Sequence, residues 1–328
     1  MLKDVGERRA IELILERLEK MPHMPIPFGD DVSAYPIDEG KLSVLKTDML
    51  VAKTDVPKGM SLWQAARKAV VMNVSDFAAK GVKPLVALVS LGLPETTLME
   101  ELEEIAEGLN AGSREYGVYI VGGDTNEASD LVLGLSVFGI VEKDCLMLRS
   151  GAKAGDFVAV TGFFGKASAG LKILLEGFEG SKEICESVLE AVYMPKARLK
   201  EGLALSGTGA VTSAIDSSDG LAFSLYEVGK ASGVGFVIDS VPVAAEVVEF
   251  AEINGLDPLE LAFYGGEEYE LVLTVKPELW EEAEKAVKQV GGTLIRIGMA
   301  TSERQVLLDV DGEKRVIECK GWEHFRRR

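Results

Sequence analysis

The chain reads as a two-domain protein that mixes α/β and α+β organisation, and three observations point there. Its 328 residues exceed the usual domain span of about 100–200 and suggest two units. Strand-like and helix-like patterns alternate in both halves. Between the halves, the turn-rich stretch LRSGAKAGD, residues 148–156, breaks the pattern. The expected domains are therefore 1–147 and 148–328.

The elements follow in order. AIELILERLE, residues 10–19, has apolar positions at helical spacing. KLSVLKTD (41–48) and LVALVSLGL (85–93) are rich in Val and Leu and read as strands. Between them, SLWQAARKAVVMNVSDFAAKG (61–81) reads as a helix closed by Gly81. LMEELEEIAEGLNAGSREYG (98–117) is a second helix with a charged face, and VYIVGGD (118–124) and LVLGLSVFGIVE (131–142) are strands. After the boundary come strand FVAVTG, helix KASAGLKILLEGF, a helix around MPKARLKEGLALS, strand GAVTSAID, helix LAFSLYEVGKAS and strand GFVID. Strand YELVLTV, helix PELWEEAEKAVKQVG and strand LIRIGMA complete the second half. No short-period repeat or low-complexity tract is present.

Composition excludes several classes. A formal net charge of -18 argues against a nucleic-acid binder, which shows a basic patch and high pI. The three cysteines, Cys145, Cys185 and Cys319, are scattered without CxxC spacing and fit reduced thiols in a cytoplasmic protein. No apolar run reaches the ~20 residues of a membrane span, and the first segment carries Asp and Glu among its apolar residues, unlike a signal peptide. TGFFGKASAG (161–170) resembles a phosphate loop but has Ala167 where Ser or Thr should follow the Lys. SGTGAV is too short for a dinucleotide fingerprint, and no GxSxG occurs.

The chemical regularity lies in the acids. KLSVLKTD ends on Asp48, VYIVGGD on Asp124 and GAVTSAID on Asp216. PFGDDVS supplies Asp30 and Asp31, MNVSD supplies Asp76, and YGGEEYEL supplies Glu267, Glu268 and Glu270. Charges where apolar strands emerge are costly unless paired or coordinated. Each has a plain alternative: Asp124 as a turn residue, Asp76 as a helix-surface acid, and AIDSSDGL (214–221) as a helix cap. Six such places together point instead to a metal. Only two histidines and no HxxH-like spacing argue against a zinc or iron site built from imidazole and thiolate. Carboxylates with Ser and Thr hydroxyls suit a hard cation, chiefly magnesium, which leans on one or two carboxylates plus substrate phosphates. So many acids imply more than one ion, with a polyphosphate between them.

An ordered set of motifs spans nearly the whole chain: GDD (29–31), TDMLV (47–51), NVSDFAAKGVKP (73–84), GGDT (122–125), LRSGAKAGD (148–156), IDSSDGL (215–221), GGEEYEL (265–271) and KGWEHF (320–325). This set resembles the thiamine-monophosphate kinase family, within the superfamily of aminoimidazole ribonucleotide synthetase. The resemblance implies an N-terminal α/β domain whose sheet completes a barrel across a homodimer, and a C-terminal α+β domain. It implies direct transfer of the ATP γ-phosphoryl group to thiamine monophosphate, with several Mg2+ ions and no dedicated catalytic nucleophile. Asp31, Thr47, Asp48, Asp76, Asp124, Asp216 and Asp219 match the family's magnesium positions. Gly123, Arg149 and Ser218 match ATP-binding positions, and Asp55, Glu267 and Trp322 match substrate positions. Asp55 stands where many members carry His, and Glu268 replaces an Asp. Two other readings stay open: an ATP-dependent relative acting on another small substrate, or a non-catalytic nucleotide-binding paralogue. The hydrogenase-maturation branch is disfavoured because it resembles chains with a terminal reactive Cys, and this chain ends HFRRR. The selenophosphate branch needs a reactive Cys near the start, where residues 1–144 have none.

Overall fold

The computed structural model describes residues 2–325. The first half holds helices α1 (Leu2–Leu15), α2 (Ala52–Asp55), α3 (Leu62–Ala79) and α4 (Met99–Glu115). Its strands are β1 (Ser33–Pro36), β2 (Lys41–Val51), β3 (Lys83–Leu93), β4 (Tyr119–Glu127) and β5 (Val132–Glu142). They form one five-stranded sheet in the order β1-β2-β5-β3-β4. All pairs are antiparallel except β3–β4, and α4 supplies the crossover that a parallel pair requires.

The second half holds α5 (Lys166–Leu171), α6 (Lys182–Tyr193), α7 (Leu199–Ser206), α8 (Leu221–Ser232), α9 (Ala245–Asn254), α10 (Pro258–Tyr264) and α11 (Trp280–Gln289). Its strands are β6 (Phe157–Val160), β7 (Val211–Asp216), β8 (Gly235–Ile238), β9 (Leu271–Val275), β10 (Ile295–Thr301), β11 (Val306–Val310) and β12 (Glu313–Val316). They make a seven-stranded sheet, β12-β11-β8-β10-β6-β9-β7, with only β11–β8 parallel. Residues 148–156, between the two sheets, carry neither helix nor strand.

α3 organises the molecule. Ser61 and Gln64 close a capping box at its start, with Gln64 N donating to Ser61 Oγ (3.1 Å) and Ser61 N to Gln64 Oε1 (2.9 Å). Gly81, at φ 65, turns the chain out just past its end. The Ala- and Val-rich sequence between is buried nearly all round. The inner face of the first sheet covers one side, and α7, β7 and β9 of the second half pack on the other, so one apolar core crosses from half to half. At the closest approach, a Cβ on Gly202 of α7 would lie 2.0 Å from the Ala78 carbonyl oxygen. Only glycine allows the two helices to meet there.

The other face of the first sheet is bare. Leu45 and Met49 of β2, Leu88 of β3 and Ile140 of β5 are 47, 59, 51 and 41 % exposed. Strand register puts them on one side with Thr47 and Ser136.

Several expectations need correction. Asp48 and Asp124 do not end their strands: pairing of 47–51 with 132–136, and of 124–127 with 90–93, carries β2 and β4 on beyond them. α1 starts before residue 10 and stops at Leu15. The helix expected around residues 194–206 begins only at Leu199, because Pro195 has no N–H to continue a helical ladder. α6, α9, α10, β11 and β12 were not among the expected elements.

Candidate functional site

Three acids meet where the halves join. Carboxylate oxygens of Asp31, Asp76 and Asp216 lie within 4.8 Å of one another, and all three residues are buried. Asp31 comes from the loop before β1, Asp76 from the last turns of α3, and Asp216 is the final residue of β7. Neither half alone builds the group.

Cations are set among them. Lys80, one helical turn after Asp76, is fully buried. Its Nζ lies 2.7 Å from Asp30 Oδ1 and 2.8 Å from Asp31 Oδ2, and donates to the Ala214 carbonyl at 2.7 Å. Arg149 donates to Asp31 through Nε (2.7 Å) and Nη2, to the Gly29 carbonyl (2.8 Å) and to Glu227 (3.3 Å). Both N–H groups converge on the one oxygen Oδ1, a charge-assisted contact that the planar guanidinium can make with two donors at once. Lys46 Nζ lies 2.9 Å from Asp76 Oδ2 and 3.9 Å from Asp48 Oδ2; alternation along β2 puts residues 46 and 48 on the same inner face. Ser75 Oγ donates to Asp216 Oδ2 at 2.6 Å. The Ser217 hydroxyl beside it is buried and has no hydrogen-bond partner among the described residues.

The titration of the group follows from burial and these neighbours. Burial alone would raise Asp31, but Lys80 and Arg149 outweigh it and hold its carboxyl below the usual range. Asp76 is pushed well up by burial and by Asp216 and Asp31, in spite of Lys46. Burial and Asp31 raise Asp216 to about 6. Burial, Glu7 and Asp216 raise Asp219 to about 7. Burial would lower Lys46, yet Asp76 and Asp48 leave it above its ordinary value. Asp76 and Asp216 thus resist losing their protons while Asp31 gives its proton up readily, and the three carboxylates offer the oxygen donors that fit a hard divalent cation.

The structure does not gather all the expected ligands in one place. Asp48 shares the inner face with Lys46. Thr47 points to the bare outer face, where it donates to the Leu135 carbonyl (3.0 Å) and accepts from Ser136 Oγ (3.1 Å). Asp124 sits on the exposed edge strand β4 in register with Ser90, which also puts it on the outer face. Gly123 precedes it, with the Val89 carbonyl 1.9 Å from where a Cβ would stand.

The DSSD loop is laced to the GGEEYE loop. Ser217 N donates to the Glu270 carbonyl (2.8 Å), and Glu267 N and Tyr269 N donate to the Ser218 and Ser217 carbonyls (2.7 and 3.0 Å). Ser218 is exposed. The helix-cap reading of this segment fails, since Gly220 is the N-cap of α8 and no side chain caps it.

Among the substrate candidates, Glu267 adopts a left-handed backbone, φ 67, which is costly for a non-glycine residue. Its Oε1 accepts from Lys68 Nζ at 2.5 Å, and its buried Oε2 has no hydrogen-bond partner among the described residues. Lys68, buried on α3, also donates to the Asp55 carbonyl at 3.0 Å, so one ammonium ties Asp55 to Glu267. The Asp55 carboxylate is itself taken up by Val51 N at 2.7 Å and closes a local turn. Trp322 is 37 % exposed; its N donates to the Asp219 carbonyl at 3.1 Å, and its ring meets His324 edge-on at 5.8 Å.

A cavity of about 680 Å³ adjoins the GGEEYE loop, lined by Phe163, Lys166, Arg198, Glu267, Glu268 and their neighbours. Here Glu268 Oε1 accepts from Gly165 N (2.7 Å) and Ala167 N (3.2 Å). The phosphate-loop-like TGFFGKASAG segment therefore already has a carboxylate of its own at the start of α5. Arg198 and Thr161 hold Glu270.

Lys46, Lys68, Lys80 and Ser75 were not anticipated. The available signals were spacings: Lys46 two residues before Asp48 in a strand, and Lys80 four after Asp76 in a helix.

Comparison with known proteins gives a consistent result. Residues 29–141 match AIR synthase related protein, N-terminal domain, and residues 153–311 match its C-terminal domain. The thiamine-monophosphate kinase of Nitrosopumilus maritimus is 39% identical over 91% of this chain and 93% of its own. That of Pyrococcus horikoshii is 39% identical over 97% and 96%. A solved structure, AaThiL complexed with AMPPCP and TMP, superposes with a TM-score of 0.86 at 29% identity, covering 99% of this chain and 98% of that one.

Proposed function

The chain belongs to the thiamine-monophosphate kinase family of AIR synthase related proteins, and on that premise we propose how its site works. The protein is an ATP-dependent kinase that phosphorylates thiamine monophosphate to thiamine diphosphate. The observation that carries the mechanism is the buried Asp31–Asp76–Asp216 group at the junction of the two halves, and the solved relative with AMPPCP and TMP bound supports both substrates.

In this reading Asp31, Asp76 and Asp216 hold magnesium, with Asp48 and Asp219 as further ligands. The ions, when bound, neutralise the facing phosphates of donor and acceptor so that they can approach. The chain's own residues do the positioning. Arg149, anchored by Asp31 and the Gly29 carbonyl, presents fixed positive charge to the nucleotide, and Ser75 holds the Asp216 carboxylate in place. Gly123 and Ser218 lie along the nucleotide. Lys68 fixes Glu267 toward the cationic thiazolium, and Trp322 offers it an aromatic face. Transfer is direct and in line: a phosphate acceptor is already an anionic nucleophile and needs orientation and charge balance more than a base.

The division into 1–147 and 148–328 and a cytoplasmic setting belong to the same reading. Among the described residues no helix is long and apolar enough to cross a membrane. The protein acts as a homodimer, with the bare face carrying Leu45, Met49 and Leu88 closed by a second copy. Thr47 and Asp124, which lie on that face, then take their part in ion binding within the dimer.

The test supplies ATP and Mg2+ with either thiamine monophosphate or free thiamine, and identifies products by mass spectrometry. Thiamine diphosphate forms from the monophosphate alone, and exhaustive chelation stops it. Phosphorylation of free thiamine, or no diphosphate from the monophosphate, overturns the assignment.

A further inference from the structure

Lys46 has no part in the mechanism above, yet its ammonium lies against Asp76 at one side of the acid cluster. Among the described residues its ion-pair partners are Asp76 and Asp48, at 2.9 and 3.9 Å, and its side chain is 20% exposed. The other two cations are tied to the main chain, Lys80 through the Ala214 carbonyl and Arg149 through the Gly29 carbonyl. Both pair with Asp31, leaving the Asp48–Asp76 side of the cluster to Lys46.

That side is where two carboxylates from different elements, β2 and α3, converge on one positive centre. Carboxylate oxygens from separate elements closing on a single cation is also how a divalent ion is held. We propose that Lys46 stands in the place of one divalent ion, a tethered internal counter-ion that spans Asp48 and Asp76, so that the site takes up one ion fewer than its acids would otherwise hold. The inference rests on the magnesium reading and refines it. A single covalently held charge draws Asp48 and Asp76 together without an uptake step and does not leave when free metal is scarce. Lys46 is thus a positioning residue: it acts on the ligands, not on the transferred group.

The test counts bound Mn2+ per chain by electron paramagnetic resonance in the presence of AMPPCP, for the wild type, Lys46→Gln and Lys46→Arg. The neutral Gln variant should hold one more Mn2+ than the wild type, and the Arg variant, which keeps a cation, should match the wild type. Lys46→Ser replaces the Gln variant where that chain fails to fold. An unchanged count in the neutral variant, or an extra ion in the Arg variant, overturns the role of Lys46. A wild type that binds no Mn2+ overturns the magnesium reading itself, so the two failures are distinguishable.

Discussion

Asp216→Asn exchanges one carboxylate oxygen of the central group for an amide nitrogen and leaves the shape almost unchanged. On the proposed role of Asp216 as a magnesium ligand, turnover should fall by about 10²–10³-fold, the range for losing one preorganised charge-stabilising group. The same change relieves repulsion among buried acids, so the melting temperature in chelator should rise or hold. Steady-state rates and thermal melts of one preparation check both, and near-normal turnover would reduce Asp216 to a structural residue. A second prediction concerns Glu268, whose carboxyl is pushed by burial from the ordinary 4.5 up to about 8, against the pull of backbone N–H donors of α5. A raised folded-state value means the group favours folding fully below about 4.5 and loses that contribution as pH climbs through about 8. Stability should therefore decline between about pH 5 and 8, and Glu268→Gln should flatten the decline; an equal slope in the variant would refute it. The acids themselves were legible because their motifs are local and ordered. The lysines were not, since a Lys in a strand or helix reads as a solvent-facing residue until the tertiary fold carries it inside.

At the scale of elements, the contact between α3 and α7 sets the position of Asp76 relative to Asp216. Gly202→Val puts a branched side chain against the Ala78 carbonyl, where even a Cβ would stand 2.0 Å away. Overpacking of this kind costs about 1–3 kcal/mol or more, and here it should also raise the magnesium requirement by spreading the two halves of the acid group. Chemical denaturation and a magnesium titration of the rate check it; wild-type stability would show that α7 moves freely on α3. The period of α3 and the alternation of the sheet strands were readable from the sequence. The strand ends at Asp48 and Asp124 were not, because the ladder runs on past each acid, through Met49–Val51 in one strand and 125–127 in the other. α9 and α10 escaped because short segments such as AEVVEFAEIN carry weak periodicity, and their packing against α5 and α6 decides them.

For the whole molecule, the bare outer face of the first sheet predicts the assembly. Four large apolar side chains exposed on one sheet face are unusual for a monomer surface, and a two-fold pairing buries them twice over. Light scattering at micromolar concentration should give about twice the 35.3 kDa subunit mass, and Leu88→Glu should halve it; a wild-type mass near one subunit would refute the dimer. The two-sheet plan was legible from the sequence, whereas the closure of one core across both halves was not, since it depends on which faces of α3 meet which sheet. In the proposed mechanism the acids at the junction of the halves hold the ions that bring two phosphates together. Crystals grown with AMPPCP, thiamine monophosphate and Mn2+ test it directly through the anomalous signal of manganese. Manganese peaks should appear ligated by Asp31, Asp76 and Asp216, between the nucleotide γ-phosphate and the acceptor phosphate. Manganese absent from those three carboxylates, or the two phosphates bound apart from them, would contradict it.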